Sequence, residues 1–213
     1  TIGLHPRDNI EESFNEKEYQ DLVSNIEVVA IGECGLDYFR IEEDDQQEKA
    51  RQEKEFRAQI EFALFNDLPL MLHMRPKKGT MDAYEHGLEI LKEYKDKGDY
   101  LRGNVHFFVG DTKIAKEYVD LGFTLSFTGV ITFASEYDDV IKQTPLDSIL
   151  SETDSPLVAP EPHRGKRNEP AYVVETARVL ANIKGVSTEE IWQHTTDNFF
   201  KLFSKVPDPR SAL

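Results

Sequence analysis

The chain has 213 residues, 39% of them hydrophobic and 31% charged, with a formal net charge of −15 and one cysteine. That length supports one sizeable core, and the acid excess argues against a broad basic face for nucleic acid unless bound cations bring the positive charge. Cys34 alone excludes an internal disulfide and suits a reducing cytoplasm. No apolar run approaches the roughly 20 residues that span a bilayer, and no secretory leader or membrane partner is expected.

In chain order, "TIGLHP" (1–6) reads as a first strand and "EVVAIGECGLDY" (27–38) as a second. Residues 45–66 carry Phe56, Ile60, Ala63 and Leu64 at helical spacing, with charges elsewhere. "LPLMLHMR" (68–75) reads as a strand and 82–97, with Leu88, Leu91 and Tyr94, as a helix. "GNVHFF" (103–108) is a fourth strand, followed by the helix "TKIAKEYVDL", which Asp111 caps and Gly122 stops. "FTLSFTG" (123–129) and "DSILSETD" (147–154) complete six strands. Two helices close the chain: one begins near Pro170, the other follows Ser187, with Glu190 completing a capping box. Strand and helix alternate, and most strands are near-continuous apolar runs, so the expected fold is α/β with a parallel sheet. No linker or repeat divides it, so one domain over 1–213 is expected.

The choice between an open doubly wound sheet and a (β/α)₈ barrel rests on where polar residues fall. Glu33, His73, His106 and Asp154 are each a carboxylate or imidazole in an apolar strand, expected at its carboxyl end. In a barrel those ends converge on one mouth. A single such histidine is more often a hydrogen-bonded core residue, but four at equivalent places point to metal. Two imidazoles and two carboxylates suit Zn²⁺ or Mn²⁺ and, with more oxygen, Mg²⁺. The other histidines read differently: His86 as solvated on a charged helix, His194 as surface or packing, and His163 as part of the loop "PHRGKR". That loop sets Arg164, Lys166 and Arg167 beyond the Asp154 strand, as "RPKK" sets Arg75, Lys77 and Lys78 beyond His73. Cations there would meet an anionic substrate, since Arg forks match phosphate oxygens.

The segments "AIGECGLDYFR", "LPLMLHMR", "GNVHFFVG", "FTLSFTGVITF", "ILSETDSPLVAPEPHRGKRNEPAYV" and "TTDNFFKLF" resemble, in order, the motifs of the TatD family of metal-dependent deoxyribonucleases. The resemblance implies an amidohydrolase-type (β/α)₈ barrel and hydrolysis of DNA phosphodiesters, 3′ to 5′, with two divalent ions (Mg, Mn or Zn). It implies Glu33 as a carboxylate bridging both ions, His73 and His106 as ligands of one, and Asp154 as ligand of the other and general base. His5 of "GLHP" matches a position near the mouth, and Arg164 and its neighbours, Arg167 among them, are the implied phosphate contacts, while Arg75 is expected at the substrate from its charge alone. The family's His-x-His strand is absent, so six of eight strands are expected here and the chain reads as lacking its N-terminal units. The "HMRPKKG" loop also departs from the more usual "HSRD". Two other readings are an amidohydrolase-type hydrolase of esters, lactones or phosphotriesters, and a non-catalytic metal-binding remnant.

Overall fold

The computed structural model describes residues 1–7, 11–42, 45–98 and 100–212. It divides into two compact units, residues 1–105 with 202–213, and residues 106–201. None of the helices among the described residues is long and apolar enough to cross a membrane.

In the first unit, helix α1 (Glu16–Val23) is capped by Asn15, whose side chain accepts from the Lys17 N–H. The sequence gives no warning of it, because Val23 is its one buried residue. Strand β1 (Ile31–Asp37) pairs in parallel with β2 (Leu70–Arg75), and β3 (Gly103–His106) follows β2 in the strand order. Helices α2 (Gln46–Phe65) and α3 (Asp82–Asp96) pack on this sheet, burying Phe56, Ile60, Tyr84 and Leu91 against Ile31, Leu36, Leu70 and Leu72. Each such large apolar side chain contributes roughly 1.5–3 kcal/mol when taken from water.

The register of β1 on β2 is broken once. Gly32 pairs with Met71 and Cys34 with Leu72, so Glu33 is the extra residue of a bulge. A bulge breaks the alternation of faces and re-aims the side chain it carries. Gly32 and Gly35 flank it with φ of +149° and +138°, and a Cβ at either would collide with the carbonyl of Met71 or His73 on the next strand. Glycine is required at both by backbone conformation and by close approach.

The expected strand at 1–6 is not formed. It is reduced to one parallel bridge, Ile2 with Ile31. Beyond it the Gln59 side-chain amide takes both Leu4 backbone groups, accepting its N–H at 2.7 Å and donating to its carbonyl at 3.0 Å. A side chain replaces the neighbouring strand there, so five strands rather than six are formed among the described residues.

In the second unit, α4 (Thr112–Asp120) is capped by the Asp111 side chain, which accepts the Ile114 N–H, and Gly122 follows its end with φ +96°. Strands β4 (Phe123–Phe127) and β5 (Ile149–Ser151) run parallel. The short α5 (Asp138–Gln143) lies against α4 and α6 (Val173–Lys184). Helix α6 follows a 3-10 turn opened by Pro170. Helix α7 (Thr188–Leu202) is capped by Ser187, whose hydroxyl accepts the Glu190 N–H at 3.1 Å.

Candidate metal centre

In the first unit, β1 and β2 carry the polar side chains that matter. Glu33 is the third of seven residues of β1 and His73 the fourth of six in β2, so neither ends its strand as expected. The bulge is the reason for Glu33: it turns the carboxylate out of the strand's alternation, leaving it 39% exposed among buried neighbours. The residue that does end β1 is Asp37, buried, its own N–H and carbonyl both bound by the Gln52 amide of α2.

Asp37 Oδ2 lies 3.1 Å from His73 Nε2. A carboxylate can only accept, so Nε2 carries the proton and Nδ1 is left to face Glu33 Oε2 at 3.5 Å and His5 Nε2 at 3.3 Å. One donor atom from each of His5, Glu33 and His73 lies within 4.8 Å of the others. Two imidazole nitrogens and a carboxylate oxygen are a ligand set for Zn²⁺ or Mn²⁺, and the carboxylate behind His73 is the outer partner that fixes a ligating ring's tautomer. His5 is the member that must rearrange. Its Nδ1 accepts the Arg7 N–H at 3.2 Å, so Nε2 holds the proton in the neutral ring and must lose it before it can ligate.

The electrostatics follow from the pairing. Burial alone would raise the Asp37 carboxyl, but the hydrogen bond and charge of His73, with the Phe39 N–H and Arg75, hold it below the usual carboxylate range. Burial alone would lower His73, and the hydrogen bonds and charges of Asp37 and Glu33 outweigh it, so the ring is more basic than an ordinary histidine. Cys34, beside Glu33, is fully buried and its thiol is pushed well up, first by desolvation and then by the Glu33 charge.

The second unit begins at His106, the last residue of β3. Its Nδ1 lies 2.6 Å from Glu152 Oε2, so Nδ1 donates. Nε2 faces Asp154 Oδ1 at 4.0 Å. Glu152 also accepts from the Phe107 N–H at 2.5 Å and the Ser126 hydroxyl at 2.9 Å. Asp154 stands three residues past β5 with φ +54°, and Phe107 has φ +48°. Left-handed backbone is uncommon outside glycine and tends to gather where a side chain must be aimed. The loop after Asp154 is held by Asn168, fully buried, whose Nδ2 donates to the carbonyls of Thr153, Leu157 and Val158.

The expected residues therefore fall into two described groups, Glu33 and His73 with His5 in the first unit, His106 and Asp154 in the second. Asp37, which ends β1, was not anticipated; Glu152, one residue past β5, stands out in the sequence as a carboxylate after an apolar run, but its part in holding His106 was not anticipated. The cations stack on rings or stand in solvent. Arg75 stacks on Phe39 at 4.0 Å, Arg164 stacks on Phe133 at 3.7 Å, and Arg167 is exposed. His86 departs from expectation. Instead of standing in solvent it takes Tyr38 Oη at 2.6 Å on Nδ1 and Glu53 at 3.2 Å on Nε2.

A family model described as TatD related DNase matches residues 1–204. The chain belongs to the TatD-related DNase family. Among TatD relatives, the Escherichia coli protein named uncharacterized metal-dependent hydrolase YcfH is 40% identical over 207 residues, 95% of this chain and 72% of that one. The Bacillus subtilis uncharacterized metal-dependent hydrolase YabD is 40% identical over 205 residues, 95% of this chain and 76% of that one. Among solved structures, the TatD homologue YJJV of Escherichia coli superposes with a TM-score of 0.79 at 31% identity, covering 97% of this chain and 76% of that one. A TatD family hydrolase of Entamoeba histolytica gives 0.77 at 26%, covering 97% and 74%. The fold class is thus the α/β, amidohydrolase-type barrel of the TatD proteins.

Proposed function

We propose that this TatD protein hydrolyses DNA phosphodiesters, acting 3′ to 5′ with two divalent cations, in the cytoplasm and as one domain over 1–213. The observation that supports it most is the His5, Glu33 and His73 cluster, three donor atoms within 4.8 Å with a carboxylate behind one ring. Glu33, His73, His106 and Asp154 are the proposed ligands, and His5 either joins them or contacts substrate. Divalent cations held by such groups neutralise a phosphodiester and draw a water toward ionisation. Asp154 is the base that takes the proton of the attacking water, its carboxylate aimed by a left-handed backbone that aspartate tolerates. Glu152 and Asp37 keep the His106 and His73 rings in one tautomer and one orientation. Arg75, Arg164 and Arg167 contact phosphate oxygens.

The test is degradation of single-stranded DNA by the purified protein with Mn²⁺ or Mg²⁺. Chelator should stop it, and Asp154→Ala should lower the rate by about 10²–10⁴-fold, the range of a positioned general base. Undiminished activity in Asp154→Ala would remove that residue from the chemistry. Turnover of a lactone or phosphotriester without DNA cleavage would reassign the site to another amidohydrolase reaction.

A further inference from the structure

In the first unit, one face of α2 is polar and turned inward. Residues 48, 52, 55 and 59 share it at helical spacing. Gln52, Glu55 and Gln59 are buried, and the Glu48 side chain is only 15% exposed. A helix face against a core is ordinarily apolar, and buried polar groups cost free energy unless they are bonded. Here each is bonded. Glu55 accepts the Phe14 N–H at 2.7 Å, and Gln59 binds both backbone groups of Leu4. Beside them Arg51 Nη2 donates to the Pro6 carbonyl at 2.6 Å. His5 is the residue between Leu4 and Pro6, so α2 fastens the chain immediately before it and immediately after it.

These contacts meet at Glu48. Its backbone N–H is fixed by the Asp45 cap at 3.0 Å. Its carboxylate accepts the Arg51 fork, Oε2 from Nε at 2.7 Å and Oε1 from Nη2 at 2.8 Å. Oε1 also accepts Gln52 Nε2 at 2.9 Å and faces Arg7 Nη1 at 3.7 Å. Each partner leads on to the candidate metal centre. Arg51 holds Pro6, and the Arg7 N–H donates to His5 Nδ1. Gln52 binds both backbone groups of Asp37, whose carboxylate accepts from His73 Nε2. The Arg51 hydrogen bond works against burial and, with Gln52 and the charges of Arg51 and Arg7, holds Glu48 below the usual carboxylate range.

We infer that Glu48 is a positioning residue that couples His5 to His73: through Arg51 and Arg7 it sets the segment carrying His5, and through Gln52 it sets Asp37, which orients the His73 ring. The inference rests on the metal-centre reading above. Strand pairing does not do this for His5, because residues 1–7 make a single bridge to β1 and no ladder. An apolar side chain in place of Glu48 would fill the space. A carboxylate that accepts from Arg51 and Gln52 together fixes direction as well as distance, because charge-assisted bonds are short and the guanidinium fork is planar. One side chain outside the cluster thus sets two rings that stand 68 residues apart in the chain.

The experiment measures Mn²⁺ affinity, from the electron paramagnetic resonance of the free ion, for the wild type, Glu48→Gln and Arg51→Lys, each with and without His5→Ala. Glu48→Gln keeps size but turns an amide N–H toward donors; Arg51→Lys keeps charge but loses the fork. Glu48→Gln should weaken binding about 10-fold, the low end for a partner behind the ligands. Arg51→Lys should weaken it at least about 3-fold, the coupling of residues in one network, and add nothing once His5 is removed. Glu48→Gln should keep part of its effect in that background, through Gln52 and His73. The same loss for Arg51→Lys with and without His5 would make the face general support and overturn the coupling. No loss in either background, or His5→Ala without effect, would overturn it too. In the metal-free protein, the ring ¹⁵N shifts of His5 and His73 should both move in Glu48→Gln while those of His106 stay; movement of one ring alone also overturns it. Arg51→Lys, the gentler change, carries the test if Glu48→Gln does not fold. A wild type that binds no Mn²⁺ removes the metal centre and the coupling with it. Neither readout uses DNA, so failure of the nuclease reading is scored apart.

Discussion

His73 in the first unit and His106 in the second are arranged alike and supported differently. Each gives one ring nitrogen to a carboxylate and turns the other toward a second carboxylate, Asp37 and Glu33 for His73, Glu152 and Asp154 for His106. Opposite nitrogens are used: His73 is held through Nε2 and His106 through Nδ1. The supports differ in kind. Asp37 belongs to a strand whose neighbour, β2, carries His73, and it is pinned by Gln52 from a helix. Glu152 lies just past its strand and gathers three donors, from His106, Phe107 and Ser126, the second of them in left-handed backbone. Strand pairing fixes the backbone that carries the first supporting carboxylate, while hydrogen bonds to its own side chain hold the second.

The largest effect that tests this contrast comes from removing each supporting charge. Glu152→Gln puts an amide where three donors converge, and Asp37→Asn does the same where the backbone is already fixed. Loss of an outer carboxylate behind a ligating histidine costs about 10–100-fold in metal affinity or activity. Glu152→Gln should fall at the upper end and Asp37→Asn at the lower. Mn²⁺ titration and the DNA hydrolysis rate, measured on both variants, check it. Equal losses would mean that strand pairing contributes nothing to the first ring.

That supports and ligands differ also explains what the sequence discloses. The alternation of strands and helices is legible, because apolar runs and helical spacing survive from chain to fold in β2, α3 and α4. The candidate site residues stand out too, because a carboxylate or imidazole in an apolar run needs a reason. The roles of Asp37 and Glu152 pass unnoticed because their work is done on another side chain 36 and 46 residues away. The bulge at Glu33 is a property of register, which belongs to two strands at once. Gln52 and Gln59 look like the solvent face of α2, since an amide turned inward to bind backbone reads the same as one turned outward. The same Gln59 is why residues 1–6, apolar enough for a strand, do not become one.

A smaller effect separates the amides that hold the two regions. Asn168 serves three carbonyls in an irregular loop; Gln52 serves the two backbone groups of one strand residue. A buried polar group left without its partner costs about 1–3 kcal/mol. Asn168→Ala should therefore destabilise by about 3 kcal/mol and Gln52→Ala by about 1.5 kcal/mol, since sheet pairing still holds β1. Urea unfolding followed by Trp192, the single tryptophan and a residue of α7, reads the loss in the second unit. A larger loss in Gln52→Ala would show that the strand depends on its helix more than on its neighbour.

The smallest predicted signal is chemical and belongs to the first unit. Cys34 is the residue after the bulged Glu33, fully buried, and its Sγ has the carbonyls of Ile31 and Met71 at 3.9 and 3.8 Å. Desolvation and the adjacent Glu33 charge both oppose its thiolate, and the thiolate is the reactive form. Modification by a thiol reagent must therefore wait for β1 to open. Near neutral pH the folded protein should react at least about 100-fold more slowly than the unfolded chain, the ratio set by a local opening free energy near 3 kcal/mol. One equivalent should be consumed on unfolding, because the chain has one cysteine. Rapid labelling of the folded protein would mean that β1 opens at its bulge, and a strand that opens there could not hold Glu33 at a fixed distance from His73.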